Sequence, residues 1–157
     1  MQRRLSLALL TALLLLVMAP SALARPTTHT AHLTGDAEVP AVDTDAVGQA
    51  VLRLSKDGTE LRYRLIVANI DDVTQAHIHL GAEGMNGPVV AFLFGMVAEG
   101  VTTNGVLATG TITSADLVGP LADMSLADLV AALDDGGAYV NVHTLEHPAG
   151  EIRGQIR

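Results

Sequence analysis

Two stretches decide the fold: Gln49-Ala-Val-Leu-Arg-Leu-Ser55 and Glu60-Leu-Arg-Tyr-Arg-Leu-Ile-Val67. Apolar and polar residues alternate in both, which places every second side chain on the same side of a β-strand. The intervening residues 56–59 contain an Asp-Gly step, which is typical of a hairpin turn. The sequence therefore predicts an antiparallel hairpin with three arginines facing water: Arg53, Arg62 and Arg64. Its inward side chains are Leu52, Leu54, Leu61, Tyr63, Leu65 and Val67.

Similar short stretches recur at intervals of about 10 residues, separated by Gly, Asp, Asn and Pro, which favours a β-sandwich or barrel. Further strands are predicted over residues 28–34, 73–80, 89–94, 105–113, 139–144 and 151–157. One helix is predicted over residues 126–135, with Ser125 as its N-cap and Gly136-Gly137 as its stop. The predicted fold class is all-β: an antiparallel, Greek-key-like β-sandwich with one short helix.

The N-terminal segment has the pattern of a secretory signal peptide. A basic start at Met1–Arg4 is followed by the apolar residues 5–19 and by Ala22-Leu23-Ala24, a small-x-small cleavage site. The apolar run is shorter than the ~20 residues that a membrane-spanning helix needs, and Pro20 ends it. We expect export with cleavage after Ala24, which leaves residues 25–157 as one periplasmic or extracellular domain without a membrane span.

Composition limits the partners of this domain. Asp and Glu number 17 against nine Lys and Arg, and the resulting net charge of −8 makes nucleic acid an unsuitable partner. The chain has no cysteine, which excludes disulfides, thiolate zinc sites and blue-copper sites. Any metal ion must therefore be held by histidine, carboxylate or methionine.

The most specific candidate site is His77-Ile78-His79. Residues two apart on a strand share a face and lie about 7 Å apart, so the two imidazoles can converge on one metal ion. His143 follows the same pattern, because alternation in residues 139–143 places it opposite the apolar face. The three histidines are thus predicted to point away from the core. A His-x-His pair is a weak signal, and unrelated surface histidines remain the alternative.

Other side chains are weaker candidates. His147 lies four residues beyond His143, across a turn, and offers a fourth nitrogen. Met85 offers a thioether that would suit Cu(I), although methionine more often serves packing. His29 and His32 are three apart on a strand and face opposite sides, so at most one can join a common site, and both are interpreted as surface residues.

Four motifs occur in order along the chain: Leu33-Thr-Gly35 with Glu38-Val-Pro40; Ala76-His-Ile-His-Leu-Gly81 with Gly84-Met-Asn-Gly-Pro-Val-Val90; Tyr139-Val-Asn-Val-His-Thr144; and Pro148-Ala-Gly-Glu-Ile-Arg-Gly-Gln-Ile156. Taken together, they resemble the CHRD, or chordin-type, domain across essentially the whole mature chain.

The resemblance implies a β-sandwich similar in outline to the copper-zinc superoxide dismutases, whose copper is also held by a His-x-His strand. It implies His77, His79 and His143 as metal ligands. It also implies Arg153 near the site, as an anion-attracting or structural residue. For Arg153 we favour a structural ion pair with Glu151 or Glu38, since a Gly-Glu-x-Arg-Gly stretch is typical of a tightly packed terminal strand.

Three functions follow from different classes. The first is an exported metal-binding module, with copper preferred to zinc because copper binds imidazole most tightly among the divalent ions. The second is a protein-interaction module of the chordin type, whose partner the sequence does not identify. The third is a dismutase-like copper enzyme, against which stands the absence of that family's disulfide cysteines and dense histidine loop. We therefore expect a binding protein without catalytic residues.

Overall fold

A computed structural model describes residues 28–157, and the predicted signal peptide with its cleavage site lies outside that range. The predicted strands and helix are confirmed, with ends that differ by at most two residues. The strands are β1 (Thr28–Thr34), β2 (Val47–Leu54), β3 (Leu61–Ala68), β4 (Val73–Leu80), β5 (Val89–Phe94), β6 (Gly105–Ile112), β7 (Ala138–Thr144) and β8 (Ile152–Gln155). The helix α1 spans Leu126–Asp134, and short 3-10 turns span Gly35–Ala37, Ser114–Asp116 and Gly119–Leu121.

All eight strands belong to one antiparallel sheet with the order β5-β4-β7-β8-β1-β2-β3-β6. The sheet curls until its two edge strands, β5 and β6, contact each other. The Tyr63 hydroxyl of β3 reaches across and donates a hydrogen bond of 2.7 Å to the Leu93 carbonyl of β5. The predicted all-β, antiparallel class is therefore confirmed, and the closer likeness to the dismutase outline stays a prediction.

The β2–β3 hairpin has the predicted register and faces. Leu54 pairs with Leu61 next to the turn, and the three arginines of the hairpin are exposed. In the turn, the hydroxyls of Ser55 and Thr59 donate to Asp57 and lower the pKa of its carboxyl to about 2. The alternating pattern thus predicts both the pairing and the direction of the side chains.

The segment formed by β4, β7 and β8 differs, because both of its faces are buried. One face joins the apolar core through Ala76, Ile78, Val140, Val142 and Ile152. The opposite face carries His77, His79, Asn141, His143 and Arg153, which are between 1% and 8% exposed. The histidines point away from the core, as predicted, and they are buried, which contradicts the alternative of unrelated surface histidines. Hydrogen-bonded loops over residues 81–88 and 144–150 cover them.

Helix α1 packs one side against the core. Leu126, Leu129 and Leu133 are buried, and Val130 is half-buried at the margin of this stripe. At the N-cap, the Asp128 carboxylate accepts hydrogen bonds from the backbone N–H and the hydroxyl of Ser125. Within residues 28–157, no helix has the length and apolar character needed to cross a bilayer.

We expect Leu129→Ala to lower the free energy of unfolding by about 2–5 kcal/mol, because it opens a cavity beneath the helix at a side chain that is 0% exposed. Urea unfolding followed by circular dichroism measures this loss. Val130→Ala is the matched control on the same helix, and it should cost less because Val130 is only half-buried. Equal losses for the two variants would show that the helix does not pack through this stripe.

Candidate metal centre

The sheet register brings the three histidines together. On β4, His77 lies opposite Asn141 of β7, and His79 lies opposite Tyr139. Gln75 lies opposite His143, which places His143 diagonally across from His77. Each of the three histidines has one ring nitrogen within 4.8 Å of the corresponding nitrogens of the other two. The structure therefore gathers the three predicted ligands into one buried cluster.

The closest pair in the cluster has the spacing of metal ligands. His77 Nδ1 and His143 Nε2 are 3.1 Å apart. Bonds of ~2.0–2.1 Å to one metal ion place two ligand nitrogens about 2.9–3.4 Å apart for angles between square and tetrahedral. In the metal-free protein this contact is a hydrogen bond between the two rings, so a shared ion would replace the proton that lies between the two nitrogens.

His79 presents a free nitrogen to the cluster. Its Nδ1 lies 2.8 Å from the Gly87 carbonyl oxygen, and since a carbonyl only accepts, Nδ1 carries the proton and donates. Nε2 then holds a lone pair, and it is buried without a hydrogen-bond partner among the described residues. A backbone carbonyl that fixes one ring nitrogen while the other stays free is the usual outer support of a metal-binding histidine.

His143 is held in a similar way. Its Nδ1 donates to the Pro148 carbonyl at 3.0 Å, so in the neutral ring Nε2 carries the lone pair. That nitrogen faces the Oδ1 oxygen of Asn141 at 3.0 Å. Two lone pairs thus meet at this point, and a neutral His143 has no proton to place between them. A cation would remove this repulsion.

Burial keeps the three rings neutral. Desolvation, reinforced by the neighbouring charges of His143 and His79, lowers the pKa of His77 to about 4. Burial also lowers the pKa of His79 and of His143 below the usual value for histidine. Neutral imidazole is the form that binds metal ions. The cluster can therefore bind a metal ion at neutral pH without first losing protons.

Arg153 holds the covering loop in place. Its guanidinium, 1% exposed, lies 3.4 Å above the ring centre of Tyr139. It donates hydrogen bonds to the Met85 carbonyl at 2.8 Å, the Ala82 carbonyl at 3.3 Å and the Asn86 side-chain oxygen at 3.0 Å. The Tyr139 ring in turn stacks on His79, with ring centres 4.8 Å apart. Arg153 thus fixes the loop whose Gly87 carbonyl orients His79.

The favoured ion pair of Arg153 is wrong: among the described residues, neither Glu151 nor Glu38 forms one with it. Glu151 accepts hydrogen bonds from the hydroxyls of Thr44 and Thr144 instead, at 2.8 and 2.7 Å. Burial raises the pKa of Glu38, and the charge of Arg153 partly offsets that rise. Arg153 therefore lies within electrostatic range of Glu38, while its hydrogen bonds go to backbone carbonyls and to Asn86.

Gly87 is required for this arrangement. A β-carbon at this position would collide with the Leu80 carbonyl oxygen. The close approach brings the Gly87 carbonyl over His79, and the Gly87 N–H donates to the Tyr139 hydroxyl at 3.2 Å. Only glycine fits between the end of β4 and the His79 ring, which the Gly87 carbonyl orients.

The weaker candidates lie apart from the cluster. His147 is half-buried, contributes no nitrogen to the group of three, and uses its backbone N–H to bind the Thr144 hydroxyl. The Met85 side chain is 62% exposed, and the residue serves the site through its carbonyl oxygen.

His29 and His32 do face opposite sides of β1, as predicted. His32 is exposed, but the surface interpretation of His29 is wrong. His29 is 3% exposed, and its Nε2 lies 3.3 Å from the Asp134 carboxylate at the end of α1. Neither histidine belongs to the group of three.

Sequence reasoning gave no role at the cluster to Asn141 and considered Glu38 only as an ion-pair partner of Arg153. The signal for Asn141 was present, since it shares a strand face with His143. Glu38 comes from the loop after β1, and no local pattern predicts that a loop carboxyl is 7% exposed.

A curled antiparallel sheet with a buried trio of imidazoles opposite its apolar core defines a class of small β-domain with a candidate metal centre. The family model of the CHRD domain matches residues 29–156, and the chain belongs to that family. The resemblance drawn from the four motifs is thereby confirmed. No curated protein and no solved structure matched the chain.

The lowered pKa of His77 predicts an acid-sensitive fold. The folded ring titrates near pH 4 and the unfolded ring near 6.5, so the unfolded state takes up more protons. The contribution of the neutral His77 ring to the free energy of unfolding is fully present above pH 6.5 and is lost as the pH falls towards 4. The total loss is about 3 kcal/mol. In metal-free protein, the free energy of unfolding should therefore fall between about pH 7 and pH 4.5.

The variant His77→Gln isolates this effect, because the opposite contribution of Glu38, whose pKa is raised, is common to both proteins. Its stability should depend less steeply on pH than that of the wild type. His32→Gln, at an exposed position, should keep the wild-type slope. Parallel curves for His77→Gln and the wild type would contradict the prediction.

Proposed function

We propose that this protein is an exported copper-binding module that holds one ion through His77, His79 and His143. The observation that carries the proposal is the convergence of three buried, neutral imidazoles, two of them with nitrogens 3.1 Å apart. The buried, unpartnered Nε2 of His79 supports it, because an unsatisfied polar atom in a protein interior is costly without a ligand.

The donor set favours copper. Imidazole without thiolate suits Cu(II), Zn(II) and Ni(II). Copper forms the most stable complexes of these ions, so it is the first choice, and zinc is the alternative. The family resemblance to a fold with a copper-bearing His-x-His strand supports the same choice. The N-terminal signal pattern supports a role in the periplasm or outside the cell.

The protein's own contribution to binding is preorganisation. The Gly87 and Pro148 carbonyls fix the tautomers of His79 and His143, and the Arg153 guanidinium holds the covering loop. Buried side chains locked by packing lose little freedom when they bind an ion. Affinity therefore depends on the loops as well as on the ligands.

Titration of the mature protein with copper, followed by calorimetry and absorbance, tests the proposal. We expect one equivalent to bind, with release of few protons because the ligands are already neutral. Single replacements of His77, His79 or His143 by Ala should weaken binding by more than the ~10–100-fold that loss of an outer-shell partner costs. His32→Ala and His147→Ala are the matched controls and should bind as the wild type does.

Circular dichroism establishes that each variant is folded. If a variant does not fold, nitrogen NMR of the wild type with Zn(II) decides, since the His79 Nε2 resonance should shift on binding and its Nδ1 should remain protonated. Equal copper binding by the wild type and all three histidine variants would contradict the proposal. The chordin-type protein-interaction module would then take its place.

We expect little superoxide-dismutating activity. The three imidazoles are between 4% and 8% exposed beneath two loops, and a net charge of −8 repels the superoxide anion. The copper-loaded protein is compared with an identically treated His77→Ala variant to subtract adventitious copper. A rate near the diffusional ceiling of ~10⁸–10⁹ M⁻¹s⁻¹ would favour the enzyme instead.

A further inference from the structure

We infer that Asn141 Oδ1 is the fourth donor of this site. The site then has three nitrogen donors and one oxygen donor, and it selects Cu(II) over Cu(I). The inference rests on the proposed function, because it concerns how the same three histidines hold their ion. It assigns a role to a residue that the sequence motifs leave unexplained.

The position of Asn141 is that of a ligand. It lies on β7 directly opposite His77, is 4% exposed, and points to the same face as the histidines. Its Oδ1 lies 3.0 Å from His143 Nε2, and that nitrogen lies 3.1 Å from His77 Nδ1. His143 Nε2 thus lies about 3 Å from both other donor atoms, which is the spacing that bonds to a single ion produce.

The far end of the amide explains its orientation. Asn141 Nδ2 lies against Gly150, where a β-carbon would be 2.9 Å from it and would also collide with Glu38 Oε1. The Glu38 carboxyl is buried, and a hydrogen bond from the Asn141 side chain lowers its pKa, which partly offsets the rise that burial causes. An amide group that faces a carboxyl oxygen turns its NH₂ towards it and its carbonyl away. Glu38 is therefore a positioning residue that directs Oδ1 towards the histidines.

Gly150 makes this contact possible. Its φ of +130° is unfavourable for residues with side chains, and no β-carbon fits beside Glu38 and Asn141. The turn that supplies the Pro148 carbonyl to His143 thus also closes over the Asn141 amide. His147, the fourth ligand considered from the sequence, stands outside the group on this same turn.

A carbonyl oxygen changes which oxidation state the site prefers. Carbonyl and carboxylate oxygens are hard donors that suit divalent ions, whereas Cu(I) prefers soft sulfur ligands. The methionines of residues 28–157 are all exposed, with Met85 at 62%, Met96 at 78% and Met124 at 42%. An oxygen in the fourth position therefore stabilises Cu(II) more than Cu(I) and lowers the reduction potential of the bound copper.

The test uses Asn141→Leu, which keeps the approximate volume and removes the oxygen. We expect Cu(II) affinity to fall at least tenfold while Cu(I) affinity changes by less than about threefold, and the change should appear in the EPR spectrum of the Cu(II) form. A tenfold loss of Cu(II) affinity alone raises the reduction potential by ~59 mV. Asn104→Leu, at an exposed position outside the histidine cluster, is the matched control and should change neither the Cu(II) affinity nor the Cu(I) affinity.

Asn141→Asp keeps an oxygen donor and decides the matter if the leucine variant does not fold. It should bind Cu(II) at least as tightly as the wild type and lower the potential further. Unchanged Cu(II) affinity in Asn141→Leu, equal losses for Cu(I) and Cu(II), or an unchanged potential in Asn141→Asp would each overturn the inference while leaving the three-histidine site intact. Wild-type protein that binds no copper would instead overturn the proposed function.

Discussion

The buried guanidinium of Arg153 fixes the part of the molecule on which the candidate site depends. A cation that is 1% exposed must find compensation, and here it comes from two backbone carbonyls, an amide oxygen and an aromatic face. These partners all belong to the loop over residues 81–88 or to β7. The hydrogen bonds of Arg153 therefore hold this glycine-rich loop in a fixed position over the histidines. Without that cover, the Gly87 carbonyl would not stand above His79.

Burial of both faces of β4, β7 and β8 explains why so many polar groups meet here. The apolar face contributes to folding in the ordinary way, while the polar face has to be satisfied group by group. Most atoms on it find a partner, but among the described residues His79 Nε2 and Gln155 Oε1 do not. Of these two atoms, His79 Nε2 belongs to the histidine cluster, and its lack of a partner supports the proposed binding site.

Alternation along the chain was sufficient to predict the strands, the hairpin and the common face of the histidines, because strand periodicity is a local property. The same rule could not predict that His77 and His29 are buried. Their burial depends on a loop or a helix that arrives from elsewhere in the chain. The ion pair expected for Arg153 does not form, for a related reason. Glu151 is two residues away in the sequence, but its carboxylate accepts hydrogen bonds from the hydroxyls of Thr44 and Thr144 instead. Asn141 shares the face of His143 in sequence, and only the position of Glu38 shows which way its amide turns.

Charge balance is consistent with the arrangement around the proposed metal centre. Three imidazoles and one amide are neutral donors, so a divalent ion would bring two positive charges into a buried site that already lies near Arg153. A carboxylate ligand would compensate this charge directly, but it would also bind calcium and magnesium, which are far more abundant. Glu38 instead lies behind Asn141, where it can offset positive charge through the amide without entering the ligand set. In the proposed site, separating the donor atoms from the compensating charge would favour ions that prefer nitrogen.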